Sequence, residues 1–381
     1  MMKRAIVFGQ EGVNAVGLVQ SLGREGVFVI SVLMGERSSI IRHSRYSGMI
    51  YFVHDFEEAL DLMLEKCVFE EPVVVFPAGD GAAVFLENNR EKLQGNFVFE
   101  YTKGPHSIAF CMNKMNQVRF AQEHGFNVPY SVRLARSEVV PTEMIYPCIV
   151  KPLVSCEGDK RDIMIAGDSK QLAIILNEKL QFTTEVIIQQ RINRDFDYNM
   201  IGCACENGDI HIPLSIRAIK FNHKVQDAKT VCVVEPLDEK IKIEVEKMKN
   251  MMRDMGYVGL FAVECMHNKD DDKIYFTEIN LRNDGLNSFV VKGGVNLPYM
   301  HFTDLLKIPP KRFVPMTHRK KYIWEANHIS ALKRHSITIW EWIKDLVGVN
   351  GFIYYFPDDK WPFYYQFINP FLSLIPFRKK K

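Results

Sequence analysis

The sequence has no Cys-x-x-Cys pair and no His-Glu-x-x-His run, so neither a zinc ribbon nor a zincin-type metal site is encoded. Among its eight cysteines only Cys203 and Cys205 form a Cys-x-Cys, too sparse a set for zinc. Such thiols fit a reducing compartment, as small buried side chains. No window approaches the ~20 apolar residues of a spanning helix. The chain opens Met-Met-Lys-Arg and runs straight into a strand pattern. With neither a long apolar core nor a small-residue cleavage site, a secretory signal is not expected, and the expected location is cytoplasmic. Charge bias is also missing: a net charge of +2 with 25% charged residues asks for no nucleic-acid partner. Gly9, Gly12 and Gly17 read GxxGxxxxG and not GxGxxG, so no dinucleotide fingerprint follows the first strand.

What is present reads as several domains' worth of alternating strand and helix in 381 residues. Arg4–Phe8, a helical stretch to Gly23 and Val27–Leu33 make a β-loop-α-β opening, compatible with a parallel sheet binding a small acidic or amino substrate. The strand 72–76 leads into Pro-Ala-Gly-Asp-Gly, which sets Asp80 at a strand's carboxyl end. There it either meets substrate or caps the following helix. Met112–Phe126 is helical by its apolar spacing, with Gly125 as its stop. Met144–Pro152 is a strand carrying Lys151 into a polar loop, Ser155–Arg161. An ammonium on an apolar strand is costly unless an anion such as phosphate meets it, or unless it snorkels to water. The window 236–256 contains the clearest helix. Ile241, Val245, Met248, Met252 and Met255 form one core stripe, with Asp238 as cap and Gly256 as stop.

The organising stretch is Tyr257–Asn283, two apolar runs around an Asp-rich tip, which predicts a β-hairpin. Glu278, Asn280 and Arg282 share one strand face. A three-residue tip places Glu264 directly opposite Glu278, a five-residue tip makes them diagonal neighbours, and an even tip sends Glu264 to the other face. Facing carboxylates destabilise a sheet unless compensated, and a hard divalent cation with oxygen ligands does that. From about Lys311 the composition turns aromatic, with all four tryptophans at or beyond Trp324. Ser336 is the expected cap of a short helix through Val347. The ending, Phe-Ile-Asn-Pro-Phe-Leu-Ser-Leu-Ile-Pro-Phe-Arg-Lys-Lys-Lys, is either an arm on the body or a peripheral contact at a membrane interface. Pro370 and Pro376, which interrupt long helices, favour the arm.

Taken together, these motifs resemble the ATP-grasp superfamily of carboxylate–amine ligases, in particular a subgroup that includes D-aspartate ligases and unassigned enzymes. Thr-Glu-Ile-Asn-Leu-Arg-Asn is similar to the family's Glu-Ile-Asn-Pro-Arg strand, with Leu281 in the proline's place. The resemblance implies an α/β chain (an α+β grasp): a Rossmann-like domain over 1–107, a two-lobed ATP-grasp domain over 108–310, and an aromatic C-terminal extension over 311–381. By the same match Glu264, Glu278 and Asn280 would hold Mg²⁺ or Mn²⁺, and Arg282 would steady the transferring groups. Lys114 and Lys151 would contact the ATP phosphates, Gln190 and Ile192 would line the adenine slot, and Asp197 would accept from the ribose. The segment 153–163 holds only Gly158 where the family is glycine-rich, and a Gln-Gln pair replaces a common acid at the hinge. The implied activity is ATP-dependent ligation of a small carboxylate to an amine. The alternative is a nucleotide-binding protein that has lost that chemistry.

Overall fold

The computed structural model describes residues 3–35, 39–136, 138–153, 163–181, 183–225 and 227–372; most of the loop expected after Lys151, Gly158 included, lies outside them. The first sheet is parallel: β1 (Arg4–Gln10), β2 (Phe28–Met34), β3 (Ser47–Val53), β4 (Val73–Pro77) and β5 (Phe97–Phe99), in the order β3-β2-β1-β4-β5. Its central strands are buried apart from the ends of β1 because helices cover both faces, which is why their interiors read as apolar runs. The helix Asp80–Asn88 closes tightly on β1. A Cβ at Gly9, whose φ is +126°, would sit 2.8 Å from Ala82 Cβ. A short strand, β6 (Tyr101–Thr102), then leaves this sheet to pair with a later strand.

The second sheet is small and antiparallel: β7 (Ser131–Ala135), β8 (Cys148–Pro152), β9 (Met164–Ala166) and β10 (Glu185–Gln190), in the order β7-β10-β8-β9. Leu134, Val150 and Ile188 share its core with Leu172 and Leu176 of the helix Ser169–Lys179. The stretch expected as one helix over Met112–Phe126 is two, Ile108–Met112 and Lys114–Glu123. They divide at Asn113, whose side chain accepts from the backbone N–H groups of Met115 and Asn116. Lys114 is therefore the first residue of the second helix.

The largest sheet holds β11 (Arg194–Ala204), β12 (Ile210–His211), β13 (Ser215–Asn222), β14 (Ala228–Glu235), β15 (Tyr257–Asn268), β16 (Ile274–Asn280), β17 (Lys320–Ile323) and β18 (Gly351–Phe352). Its main path is β16-β15-β11-β13-β14-β17-β18. The helix Glu239–Met255 covers part of it with the expected stripe, every member buried. Asp238 accepts from Ile241 N–H, and Gly256 ends the helix at φ +63°.

The aromatic C-terminal segment does more than lie on the body. β17 pairs with β14 and β18 with β17, so this segment extends the main sheet. Its helix runs Ile339–Leu346, capped by Thr338 in a capping box with Glu341, and not by Ser336, whose hydroxyl accepts from His223 N–H. A last helix, Trp361–Leu372, continues past Pro370. No helix among the described residues is long and apolar enough to cross a membrane. The architecture is the mixed α/β arrangement of several sheets that the sequence implied.

Candidate active site

The hairpin of β15 and β16 places Glu264 directly opposite Glu278, and Ala262 opposite Asn280. The route to that register is unexpected. Near the tip His267 faces Ile274, with Asn268 N–H donating to Lys273 O, a phase that would set Glu264 against Thr277. A bulge at Thr277 takes up one residue, and the Thr277 hydroxyl donates to Glu264 O at 2.8 Å. The bulge turns the two carboxylates onto one face.

Three contacts bring the other segments to this strand. Gln117 donates to Ile279 O at 2.8 Å and accepts from Ile279 N–H at 3.1 Å, so its amide serves β16 as an edge partner. Phe276 N–H donates to Asn127 O on the chain leaving the same helix. The N–H of Lys114 donates to Leu153 O, tying that helix to the end of the Lys151 strand. Lys114, Lys151 and Glu278 are thereby gathered at the meeting of the small and large sheets.

Lys151 is only 8% exposed, and its ammonium donates to Gln189 Oε1 at 2.9 Å. Burial pushes it down from 10.5 to about 8, the Lys114 charge pushes the same way, and Glu278 opposes both. Arg282 donates to Asp80 Oδ1 at 2.8 Å and reaches Asp284 Oδ2 at 3.4 Å, both shared with little solvent. Asp80 stands in the first turn of its helix while Gly79 occupies the cap position, so Asp80 holds Arg282 and does not cap. Gln190 ends β10 and Ile192 lies just beyond it: Gln190 N–H donates to Tyr130 O, and Ile192 is buried. Asp197 is buried on β11 with Arg194 3.6 Å away.

Sequence reasoning overlooked Lys229 on β14. Its ammonium sits 2.8 Å from Glu264 Oε2 and donates to Asn199 Oδ1 at 2.6 Å. Burial alone would lower it, but Glu264, Asp197 and Asp284 around it hold it above the usual lysine range. The signal was available: like Lys151, it is a lysine on an otherwise apolar strand, Ala-Lys-Thr-Val-Cys-Val-Val. Asp284, two residues beyond Arg282, was missed too.

The donor set suits a hard cation. Two facing carboxylates and the Asn280 amide offer oxygens only. Among the described residues no hydrogen bond or ion pair closes on the side chains of Glu278 or Asn280, while Glu264 is matched by Lys229. No three His, Cys, Asp or Glu are grouped as a metal site among those residues, so the third ligand here would be the amide. Lys229 pairs with Glu264 and Arg282 with Asp80 and Asp284, while Lys114 and Glu278 both act on the charge of Lys151.

The ATP-grasp domain family matches residues 119–288. A D-alanine–D-alanine ligase of Caldicellulosiruptor bescii is 25% identical over 194 residues, 46% of this chain and 52% of that protein. The chain thus spans about half the length of that relative. A formate-dependent phosphoribosylglycinamide formyltransferase of Prochlorococcus marinus is 23% identical over 326 residues, 81% of this chain and 78% of the other. Among solved structures, an N5-carboxyaminoimidazole synthetase of Staphylococcus aureus complexed with ADP superposes with a TM-score of 0.65 at 14% identity, covering 84% of this chain and 82% of the other. The matched residues include the Lys151 strand and the hairpin of β15 and β16, so this segment of the chain is similar to the ATP-grasp domain family.

Proposed function

We propose that the protein is an ATP-dependent carboxylate–amine ligase acting through an acyl phosphate. The observation that carries the reading is the meeting of Lys114, Lys151, Lys229 and Arg282 with the Glu264–Glu278–Asn280 face. A carboxylate is a poor acylating agent until its oxygen becomes a good leaving group. Transfer of the γ-phosphoryl group forms a carboxyl O–P bond, breaks the bond to ADP, and leaves an acyl phosphate. Attack by an amine then forms the C–N bond and expels phosphate, with one proton lost from nitrogen. Such transfers depend on positioning and charge neutralisation more than on covalent help.

In this reading Lys114 and Lys151 hold nucleotide phosphates, Gln190 and Ile192 bound the adenine slot, and Asp197 accepts from the ribose hydroxyls. Arg282, its guanidinium fixed by Asp80 and Asp284, presents donors to charge building on the transferring group. Asp80 then acts by positioning Arg282 at the substrate side. Glu264, Glu278 and Asn280 would hold Mg²⁺ or Mn²⁺, which when bound neutralises phosphate charge. A Rossmann-like domain (1–107), the ATP-grasp domain (108–310) and the C-terminal extension (311–381) divide the labour. Small-molecule acid and amine are the substrates, and a cytoplasmic setting suits an ATP-consuming enzyme with free thiols.

The test is ADP and phosphate release with Mg²⁺, ATP, and pools of carboxylic acids and amines. An oxygen-isotope label in the carboxylate should appear in released phosphate. Release without label transfer would overturn the acyl phosphate. Metal-dependent ATP binding with no turnover for any pair would leave a nucleotide-binding module and overturn the ligase.

A further inference from the structure

The helix Ile339–Leu346 is amphipathic, yet it faces the protein with its less apolar side. Asp345 is buried, forming an ion pair with Lys220 and meeting His328, on whose ring Trp342 stacks. These contacts fix the inward face. At 100° per residue, Ile339, Ile343 and Val347 then form a stripe on the opposite side, with Trp340 beside it. All four are exposed, Trp340 at 77% and Val347 at 71%. A surface helix ordinarily buries that stripe.

Two further features share this end of the molecule. The last helix exposes Trp361 and Tyr364, one turn apart, while Tyr365 stacks on His43 and Phe363 packs on Phe352. Between it and the helix Glu325–Lys333 lies a cleft of about 420 Å³ lined by Ile329, Ser330, Lys333, Arg334 and Gln366. Arg334 leads through a short turn into the exposed-stripe helix. Lys333, Arg334, Lys344 and Lys360 are exposed, whereas the neighbouring carboxylates are engaged: Asp345 as above, Asp358 by Arg24 and Tyr46, and Glu341 by its cap Thr338. Nine residues, 373–381, follow the described chain and close on Arg-Lys-Lys-Lys.

We propose that this end docks on an anionic phospholipid surface, laying Ile339, Trp340, Ile343 and Val347 into the headgroup boundary with Lys333, Arg334 and Lys344 against lipid phosphates. Exposed tryptophan and tyrosine beside cations, on helices too short to span, are the composition of an interfacial contact. Charge complementarity selects this occupant over a second copy, whose equally cationic end would repel it. A ligase so placed would meet acids or amines carried on lipid.

The test is co-sedimentation of the full chain with vesicles of phosphatidylcholine alone and of phosphatidylcholine mixed with phosphatidylglycerol, at low and high salt. Binding should need the anionic lipid and fall with salt. Lys333→Glu with Arg334→Glu should weaken it by on the order of fivefold or more per cation removed. Trp340→Ser with Ile343→Ser and Val347→Ser should lose at least tenfold at unchanged melting temperature. Should that triple variant fail to fold, Trp340→Ser alone decides the point, with brominated lipid quenching of wild-type fluorescence that the variant reduces. A chain that stays in the supernatant with anionic vesicles, or variants that bind as wild type, would overturn the proposal. So would a wild-type dimer that the triple variant dissolves while neither protein touches vesicles.

Discussion

Lys151 offers the sharpest test of the phosphate clamp, because its charge is held at a cost that a bound anion would relieve. The folded protein takes the ammonium out of water, gives it Gln189 Oε1 at 2.9 Å, and sets Lys114 near it. Its value falls from 10.5 to about 8. The folded chain therefore binds this proton less tightly than the unfolded chain does. The ligand-free protein bears the full penalty, ~3 kcal/mol, below pH 8 and sheds it as pH rises toward 10.5.

Nucleotide binding should run the other way, since phosphate favours the charged form. At a value of about 8 the cationic fraction drops from roughly nine-tenths at pH 7 to roughly one-tenth at pH 9. Affinity for ATP at saturating Mg²⁺ should fall about tenfold over that interval, ~1.4 kcal/mol, with proton uptake near pH 8. Titration calorimetry in buffers of different ionisation enthalpy reads both quantities. Lys151→Met should flatten the profile and weaken binding at pH 7 by ~1.5–3 kcal/mol. It should also make the empty protein more stable, less ~1 kcal/mol for the donor that Gln189 loses. Wild-type affinity that is level from pH 7 to pH 9, with no proton uptake, would refute the reasoning.

Three further outcomes are expected. Arg282→Lys should keep nucleotide affinity near wild type and lose ~10²–10³ in turnover, because a planar donor pair is replaced by a point charge; steady-state kinetics beside equilibrium titration separate the two. Lys229→Ala strips Glu264 of its buried counter-charge and should cost ~3–5 kcal/mol in thermal or urea unfolding without metal, with Mg²⁺ and ATP restoring part of the loss. Gly256→Ala forces an L side chain to φ +63° with its Cβ 2.7 Å from Gly104 N, and should cost ~1–3 kcal/mol measured by denaturant unfolding, with no direct effect on nucleotide contacts.

Local patterns carried the elements a single segment can specify. Asp238 and Gly256 bound their helix, and its methionine stripe is core, because capping and 3.6-residue periodicity are local physics. The pairing of Glu264 with Glu278 needed more. Tip length alone left its register open, and the tip's own phase points the wrong way until Thr277 bulges out. A bulge depends on how two strands twist over the sheet beneath, which alternation of apolar residues does not record. Thr338 is a different case. Thr-Ile-Trp-Glu is a capping-box pattern in plain view, and Ser336 drew attention only because it stood first. For Asp80, cap and ligand were equal readings in sequence. The deciding partner, Arg282, is two hundred residues away.

The same distance explains Lys229 and points to how the site is balanced. Read along β14 it is one charge on an apolar strand; in the fold it is a counter-charge to Glu264. Glu278, opposite, has no such partner among the described residues, and Lys151 has only a neutral amide beside a second lysine. One wall therefore holds the Lys114 and Lys151 ammonium groups, and the other holds Glu278 and Asn280. A magnesium-bound polyphosphate would satisfy both walls at once, anion toward Lys114 and Lys151, metal toward Glu278 and Asn280. Neither component alone would do so, since phosphate without metal faces Glu278 and metal without phosphate faces the lysines. Metal and nucleotide binding should accordingly be reciprocal, each raising affinity for the other by the same factor. Glu278→Gln should abolish that factor while raising the affinity of metal-free ATP, whose phosphates no longer face a carboxylate. Titrations of each component, with and without the other, measure it, and independent binding in the wild-type protein would show that the two walls do not share one ligand.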